Sequence, residues 1–291
     1  MFFGSIPALV TPFSGGRVAE DTLAEFVEWQ IAEGSNALVP CGTTGEVATL
    51  TADEHRAVIA HTVEVANGRV PVIAGCGTYS TAASIERVRV AADAGADGIL
   101  AVVPYYNKPS QAGLIAHFTA IAKASPLPIV VYNVPSRTVA DISVESLAEL
   151  SKHPKIVALK DATGNLARVS AQRLASGEDF IQLSGNDDMA LGFNAMGGRG
   201  CISVTANVAP RLCSEFQKAM ADSRWNDALK LQDRLYPLHA ALFTDASPAP
   251  TKYALSRIRH DFPQELRLPL VEASEAAKRA VDEALEHAGL I

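Results

Sequence analysis

The chain has 291 residues, 48% of them hydrophobic and 20% charged, and its 25 Lys and Arg against 32 Asp and Glu leave a net charge of −7. That balance describes a soluble globular protein with ample core and without the basic face that nucleic acid requires, so no nucleic-acid partner is expected. A single α/β barrel, typically about 250 residues, fits this length with about forty residues to spare.

Met1-Phe2-Phe3 opens apolar, but no positive segment accompanies it, and Pro7, Pro12 and Gly15-Gly16 break the run. Neither a signal nor a membrane span is expected, and the chain is expected in the cytoplasm. Short apolar runs then recur at residues 6–10, 37–41, 70–75, 98–104, 128–134, 156–160, 180–185 and 200–205. Between them lie amphipathic stretches of ten residues or more, such as 21–33, 52–67, 82–94 and 111–124. Continuous Val/Ile/Leu runs suit strands buried on both faces, and parallel strands need crossover helices. Eight even units predict a closed (β/α)8 TIM barrel over residues 1–222, since an open doubly wound sheet accounts for only five or six. After a helix near 210–221, three more amphipathic patterns at 225–242, 250–259 and 272–288 predict a C-terminal helical extension, 223–291. Three helices offer little core of their own, so the extension should pack on the barrel.

Cys41, Cys76, Cys201 and Cys213 have neither C-x-x-C spacing nor the density of a disulfide framework, and read as packing residues. The seven histidines fall in helical or tail segments, and none closes a strand, which disfavours a metal mechanism.

Lys160 closes the sixth apolar run, at the barrel face where active sites are found. Burial there disfavours the charged amine and leaves it nucleophilic towards a carbonyl, as a Schiff-base lysine must be; the alternative is a rim lysine paired with Asp161. Gly42-Thr43-Thr44-Gly45-Glu46 follows the second run, and its hydroxyls and permissive glycines suit either a carboxylate cradle or a Gly-rich turn with Thr as a helix cap. Tyr132-Asn133-Val134-Pro135-Ser136-Arg137 ends the fifth run, next to Lys160. The phenol there suits proton transfer and Arg137 a two-pronged grip on a carboxylate, against a structural Tyr and a surface Arg. Tyr105 and Tyr106 cannot both point inward, so one is free to reach across a subunit contact. Gly197-Gly198-Arg199-Gly200 precedes the eighth run and belongs to the opposite, stability face, while Asp187 and Asp188 read chiefly as helix caps.

With these residues the chain resembles the pyruvate-dependent class I lyases of the N-acetylneuraminate lyase superfamily, and among them the dihydrodipicolinate synthases. Five motifs carry the likeness in order over essentially the whole length: Gly42-Thr43-Thr44-Gly45-Glu46, Pro104-Tyr105-Tyr106-Asn107-Lys108-Pro109, Tyr132-Asn133-Val134-Pro135-Ser136-Arg137-Thr138, Lys160-Asp161-Ala162-Thr163-Gly164-Asn165 and Ser203-Val204-Thr205-Ala206-Asn207. The resemblance implies that pyruvate condenses with Lys160 and that its enamine attacks aspartate 4-semialdehyde, in the first committed step of diaminopimelate and lysine synthesis. It implies a proton relay of Thr43, Tyr132 and Tyr106, the last from a neighbouring subunit of a homotetramer. Thr44 would hold the pyruvate carboxylate, Arg137 the semialdehyde carboxylate, and backbone groups at Gly185 and Ile202 would face the intermediate. No metal or organic cofactor is implied. His55 and Tyr105 match lysine-inhibited members, but Tyr79 and Ala83 replace their Asn and Glu, so weak or absent lysine inhibition is expected. Two other readings stay open: a sibling aldolase that cleaves a sugar acid or hydroxy-oxo acid, and a barrel retained as a binding or regulatory module.

Overall fold

The computed structural model describes residues 2–291, so Met1 of the apolar opening lies outside the described residues. Its elements in chain order begin with β1 (Gly4–Pro7), β2 (Phe13–Ser14), β3 (Arg17–Val18), α1 (Glu20–Ala32), α2 (Ala52–Ala66), β4 (Ile73–Gly75), α3 (Thr81–Asp93), β5 (Gly98–Val102), α4 (Gln111–Ala124) and β6 (Ile129–Asn133). They continue with α5 (Pro135–Thr138), α6 (Val144–Ser151), β7 (Ile156–Asp161), α7 (Ala167–Ser176), β8 (Ile181–Ser184), α8 (Ala190–Ala195), β9 (Gly200–Ser203) and α9 (Pro210–Ala221). The tail supplies α10 (Trp225–Ala241), α11 (Ala249–Ile258) and α12 (Glu275–Ala288). Among the described residues, no helix is long and apolar enough to cross a membrane.

Seven of the eight apolar runs form one curled, all-parallel sheet in the order β1-β9-β8-β7-β6-β5-β4. The second run, residues 37–41, is no named strand; it joins both edges through the isolated parallel bridges Ala8–Val39 and Leu38–Val72. Its hydrogen bonds run both ways: Val39 N–H donates to Pro7 O at 3.0 Å, and Ile73 N–H to Leu38 O at 2.8 Å. Pro40 lacks an N–H, which limits the ladder this segment can build. Gly75 makes the approach possible, since a Cβ there would lie 2.0 Å from Cys41 O. A two-stranded ribbon, β2–β3, was absent from the sequence expectations; two-residue strands flanking Gly15-Gly16 are too short for periodicity to register.

Helix starts follow local chemistry. Thr51 and Glu54 form a reciprocal capping box on α2, and Ser80, Ser110, Ser143 and Ser274 cap α3, α4, α6 and α12. Two apolar layers result from the pleat. Ile6, Val39, Ile73, Val130, Ala158 and Ile202 fill the inside of the curl, while Ile99, Val131 and Leu159 face the helices. Leu235 and Leu238 of α10 and Val281 and Leu285 of α12 belong to that same outer core. All four cysteines are free and buried, and burial pushes their thiols up, Cys76 to about 12.

Three histidines are buried within this packing. His55 Nε2 lies 2.7 Å from Gly75 O, and His239 Nδ1 lies 2.8 Å from Thr205 Oγ1. His117 Nδ1 lies 2.9 Å from Thr81 Oγ1, its Nε2 is buried without a partner, and burial pulls its pKa down to about 4. The unfolded chain, with an ordinary histidine pKa of about 6.5, binds this proton first, so the contribution is complete above that pH and is lost as pH falls towards the folded value. The total is of the order of a few kcal/mol. Denaturant unfolding at about pH 7 and about pH 5 should show His117→Gln losing less stability on acidification than the natural chain; an equal loss in both contradicts the assignment.

Candidate active site

β7 carries the central lysine. Its side chains alternate, so Ala158 and Lys160 turn into the curl while Leu159 and Asp161 turn towards α7. Asp161 accepts from Gln172 Nε2 at 2.9 Å and from Thr163 N–H at 2.8 Å, with Arg168 Nε at 3.7 Å. The carboxylate one residue away is therefore committed outside the sheet, and a Lys160–Asp161 pair does not form. The strand runs one residue past Lys160, which is 5% exposed.

Parallel pairing sets Lys160 level with Tyr132 on β6 and Leu183 on β8. The lysine Nζ stands 4.2 Å from the centroid of the Tyr132 ring. Gly185 follows β8 and donates its N–H to Asp161 O at 2.7 Å. A Cβ on Gly185 would lie 3.1 Å from Lys160 Cε and 2.8 Å from the Ala162 methyl, so the lysine stem occupies the space that a side chain would need.

The end of β6 is built for a sharp change of direction. Tyr132 points inward, and Asn133, fully buried, donates to Asp141 Oδ1 at 2.7 Å and accepts from Ile142 N–H at 3.2 Å. Pro135 then starts the one-turn helix α5, closed by Thr138 Oγ1 donating to Ala140 O at 2.7 Å. This turn carries Arg137 back over the mouth of the curl.

Thr43, Thr44, Tyr132, Arg137, Lys160 and Gly185 line one cavity of about 420 Å³, with Ser136, Asn186, Val204, Phe243 and Ser247. A neighbouring cavity of about 310 Å³ shares Thr43, Val134, Arg137 and Ser247 with it and adds Glu46, Tyr105 and Leu270. A larger open groove of about 880 Å³ lies among Phe13, Tyr253, His260 and Glu272, away from the lysine and tyrosine. Chemistry and not size selects the first cavity: an amine, a phenol, two hydroxyls and a guanidinium converge on a space suited to a small acid.

Two of the expected residues stand apart. Tyr106 is 91% exposed, with a positive φ of 73°, and lines neither cavity. Ile202 is fully buried on β9 beside Ile6, one layer below the cavity, where Val204 takes the lining position two residues later. Asp187 also acts differently from the expected cap on the next helix. Asp187 accepts from Ser203 Oγ and from Val204 N–H at 2.9 Å, tying that loop to the end of β9. Gly198 and Arg199, just before β9, line a pocket with Phe3, Gly4 and Asn36, at the opposite end of the strands. Among the described residues, no group of three or more His, Cys, Asp or Glu is disposed to hold a metal ion.

The tail also takes part in the site, which its amphipathic pattern does not reveal. Phe243 and Ser247 line the lysine cavity, and Pro269 and Leu270 line its neighbour. Lys252 of α11 is fully buried and donates to Glu46 Oε1 at 2.6 Å. Burial pulls its ammonium below the ordinary lysine range, while Glu46 opposes the shift. Arg267 grips Glu54 through both nitrogens and holds its carboxyl down at about 2.

The profile of the Dihydrodipicolinate synthetase family matches residues 1–288. The 4-hydroxy-tetrahydrodipicolinate synthase of Zymomonas mobilis is 64% identical over 291 residues, covering 100% of both chains. That of Rhizorhabdus wittichii is 63% identical over 290 residues, again covering 100% of both. The chloride-inhibited dihydrodipicolinate synthase from Acinetobacter baumannii, solved in complex with pyruvate, superposes with a TM-score of 0.97 at 41% identity, covering 100% of both chains.

The packing of the lysine stem is open to direct measurement. Gly185→Ala should cost about 1–3 kcal/mol in denaturant unfolding, because either the stem or Ala162 must move. Unchanged stability would show that the stem is not confined as described.

Proposed function

We propose the activity of this chain from one premise: it belongs to the dihydrodipicolinate synthetase family. Its reaction is that of a 4-hydroxy-tetrahydrodipicolinate synthase, a Schiff-base lyase joining pyruvate to L-aspartate 4-semialdehyde at the first committed step of diaminopimelate and lysine synthesis. The observation that carries this reading is the buried Lys160 amine standing over Tyr132, in one cavity with Thr43, Thr44 and Arg137.

In the proposed reaction, Lys160 Nζ adds to C2 of pyruvate, and loss of water leaves an iminium. The iminium acidifies the adjacent methyl group, and removal of one proton gives the enamine. Enamine carbon attacks the semialdehyde's aldehyde, forming the carbon–carbon bond, and the new alkoxide takes up a proton. The substrate's own amine then adds at C2 and displaces Lys160, closing the ring and freeing the enzyme. Protein groups need only hold the partners, pass protons and keep competing water in check, so neither metal nor organic cofactor is invoked.

We assign the proton relay to Thr43, Tyr132 and Tyr106, the pyruvate carboxylate to Thr44 and the semialdehyde carboxylate to Arg137. Gly185 and Ile202 face the intermediate through backbone groups; Gly185's place in the cavity supports its assignment, whereas Ile202 would have to act from the layer below. The exposure of Tyr106 supports its contribution to a neighbouring subunit of a homotetramer, a dimer of dimers in the cytoplasm. Residues 1–222 are assigned to a (β/α)8 barrel in which the bridged segment 37–41 takes the eighth place, and 223–291 to an extension packed on it.

Borohydride added with pyruvate should leave a stable mass increase that peptide mapping places on Lys160. Lys160→Ala should abolish the adduct and most turnover, while Arg137→Ala should weaken use of the semialdehyde and spare pyruvate trapping. Semialdehyde kinetics unchanged in Arg137→Ala would remove that residue's role, and a preference for sialic acid or 2-keto-3-deoxygluconate as substrate would overturn the synthase reading.

Lysine should inhibit weakly or not at all. Ala83, early in α3, offers a methyl where inhibited members have a carboxylate to hold the effector's amine, and Tyr79 packs edge-on against Tyr105 with ring centroids 5.4 Å apart. Steady-state inhibition at neutral pH checks this, and a sub-millimolar constant contradicts it.

A further inference from the structure

We propose that the buried Glu46–Lys252 ion pair is a positioning device through which the C-terminal helices set the Thr43-Thr44 turn against Lys160. The inference rests on the catalytic reading above and extends it to two residues outside the reacting group. Glu46 ends the turn and has a left-handed backbone, φ 54°, which a non-glycine residue keeps only when its surroundings over-determine it. Its N–H donates to Thr43 O at 3.1 Å, so a displaced Glu46 displaces the threonines. Both carboxylate oxygens are engaged from the tail: Oε1 by Lys252 Nζ at 2.6 Å and Oε2 by the Arg267 N–H at 3.1 Å. Lys252 Nζ donates in addition to Glu265 O at 2.7 Å and stands 4.4 Å from the centroid of Phe13. From the opposite side, Thr11 Oγ1 donates to Gly45 O at 2.7 Å.

Stability alone does not account for such a pair. Desolvating two charges costs as much as their attraction returns, and well-packed apolar replacements are often neutral or better. What an apolar pair lacks is direction: it does not fix the turn in a left-handed conformation with Thr43 and Thr44 at the cavity wall. The pair joins segments 206 residues apart, and α11, which carries Lys252, begins two residues after the cavity residue Ser247. Turn and tail are thereby locked at the cavity wall.

The test compares Glu46→Gln, Lys252→Met and the double variant with the natural full-length chain, reading kcat, KM for pyruvate and the thermal midpoint. Each single variant should lose about tenfold to a hundredfold in kcat and show a raised KM for pyruvate. The double variant buries no unpaired charge, so its midpoint should return towards that of the natural chain while kcat stays low. A double variant that regains both overturns the proposal, as do single variants whose kcat stays within about twofold. If Lys252→Met does not fold, Glu46→Gln decides alone, since its amide keeps shape and one acceptor for Lys252: kcat lowered at a temperature well below its midpoint supports positioning, and unchanged kcat overturns it. Borohydride trapping in the natural chain separates the two claims. No adduct there overturns the catalytic reading, whereas a normal adduct with full turnover in the variants overturns only the positioning role.

Discussion

One strand constraint underlies the site: β7 places an amine and a carboxylate on successive residues and, because side chains alternate, on opposite faces of the sheet. Lys160 enters the curl and Asp161 leaves it, to be held by Gln172 and Thr163. Had both faced inward, the pair would have neutralised each other and left no free nucleophile. The same alternation brings Tyr132 level with the lysine and sends Asn133 outward, where it ties down the chain beyond α5. Lys160 and Tyr132 thus each have an outward neighbour that anchors the strand end.

The second element of the site is remote in sequence. The Thr43-Thr44 turn lies beside the least regular part of the sheet, the bridged segment 37–41, and no continuous ladder supports it there. The tail supplies the missing support through Lys252, Arg267 and the lining residues Phe243 and Ser247. Such an arrangement explains why helices outside the curled sheet share its outer core: displacing them would open the cavity as well as expose apolar surface.

Much of this was legible in the sequence, and the exceptions have physical causes. Continuous apolar runs located the parallel strands because burial on both faces leaves no polar position to blur them. Residues 37–41 carry the same pattern, yet Pro40 limits the ladder and only bridges form. The six residues that converge on the cavity were readable because each lies at or shortly after the end of an apolar run, a position the repeat itself predicts. Asp187 was not, since its partners Ser203 and Val204 belong to the next strand end and not to the helix it precedes. Lys252 was the least legible: within an amphipathic helix a lysine reads as surface, and only its distant partner Glu46 makes full burial possible. The side chain of Val204 lines the cavity wall, and that of Ile202, two residues earlier on the same face, packs one layer below.

Covalent capture of a keto acid by the inward amine of Lys160 is the step on which the proposed reaction depends. A crystal structure of the protein soaked with pyruvate, without reductant, tests it most directly. The prediction is continuous density from Lys160 Nζ to the substrate's C2, with the carboxylate against the Thr43-Thr44 turn and the phenol of Tyr132 beside the new bond. Pyruvate lying unattached in the cavity, or Lys160 turned out to bulk solvent, would contradict it.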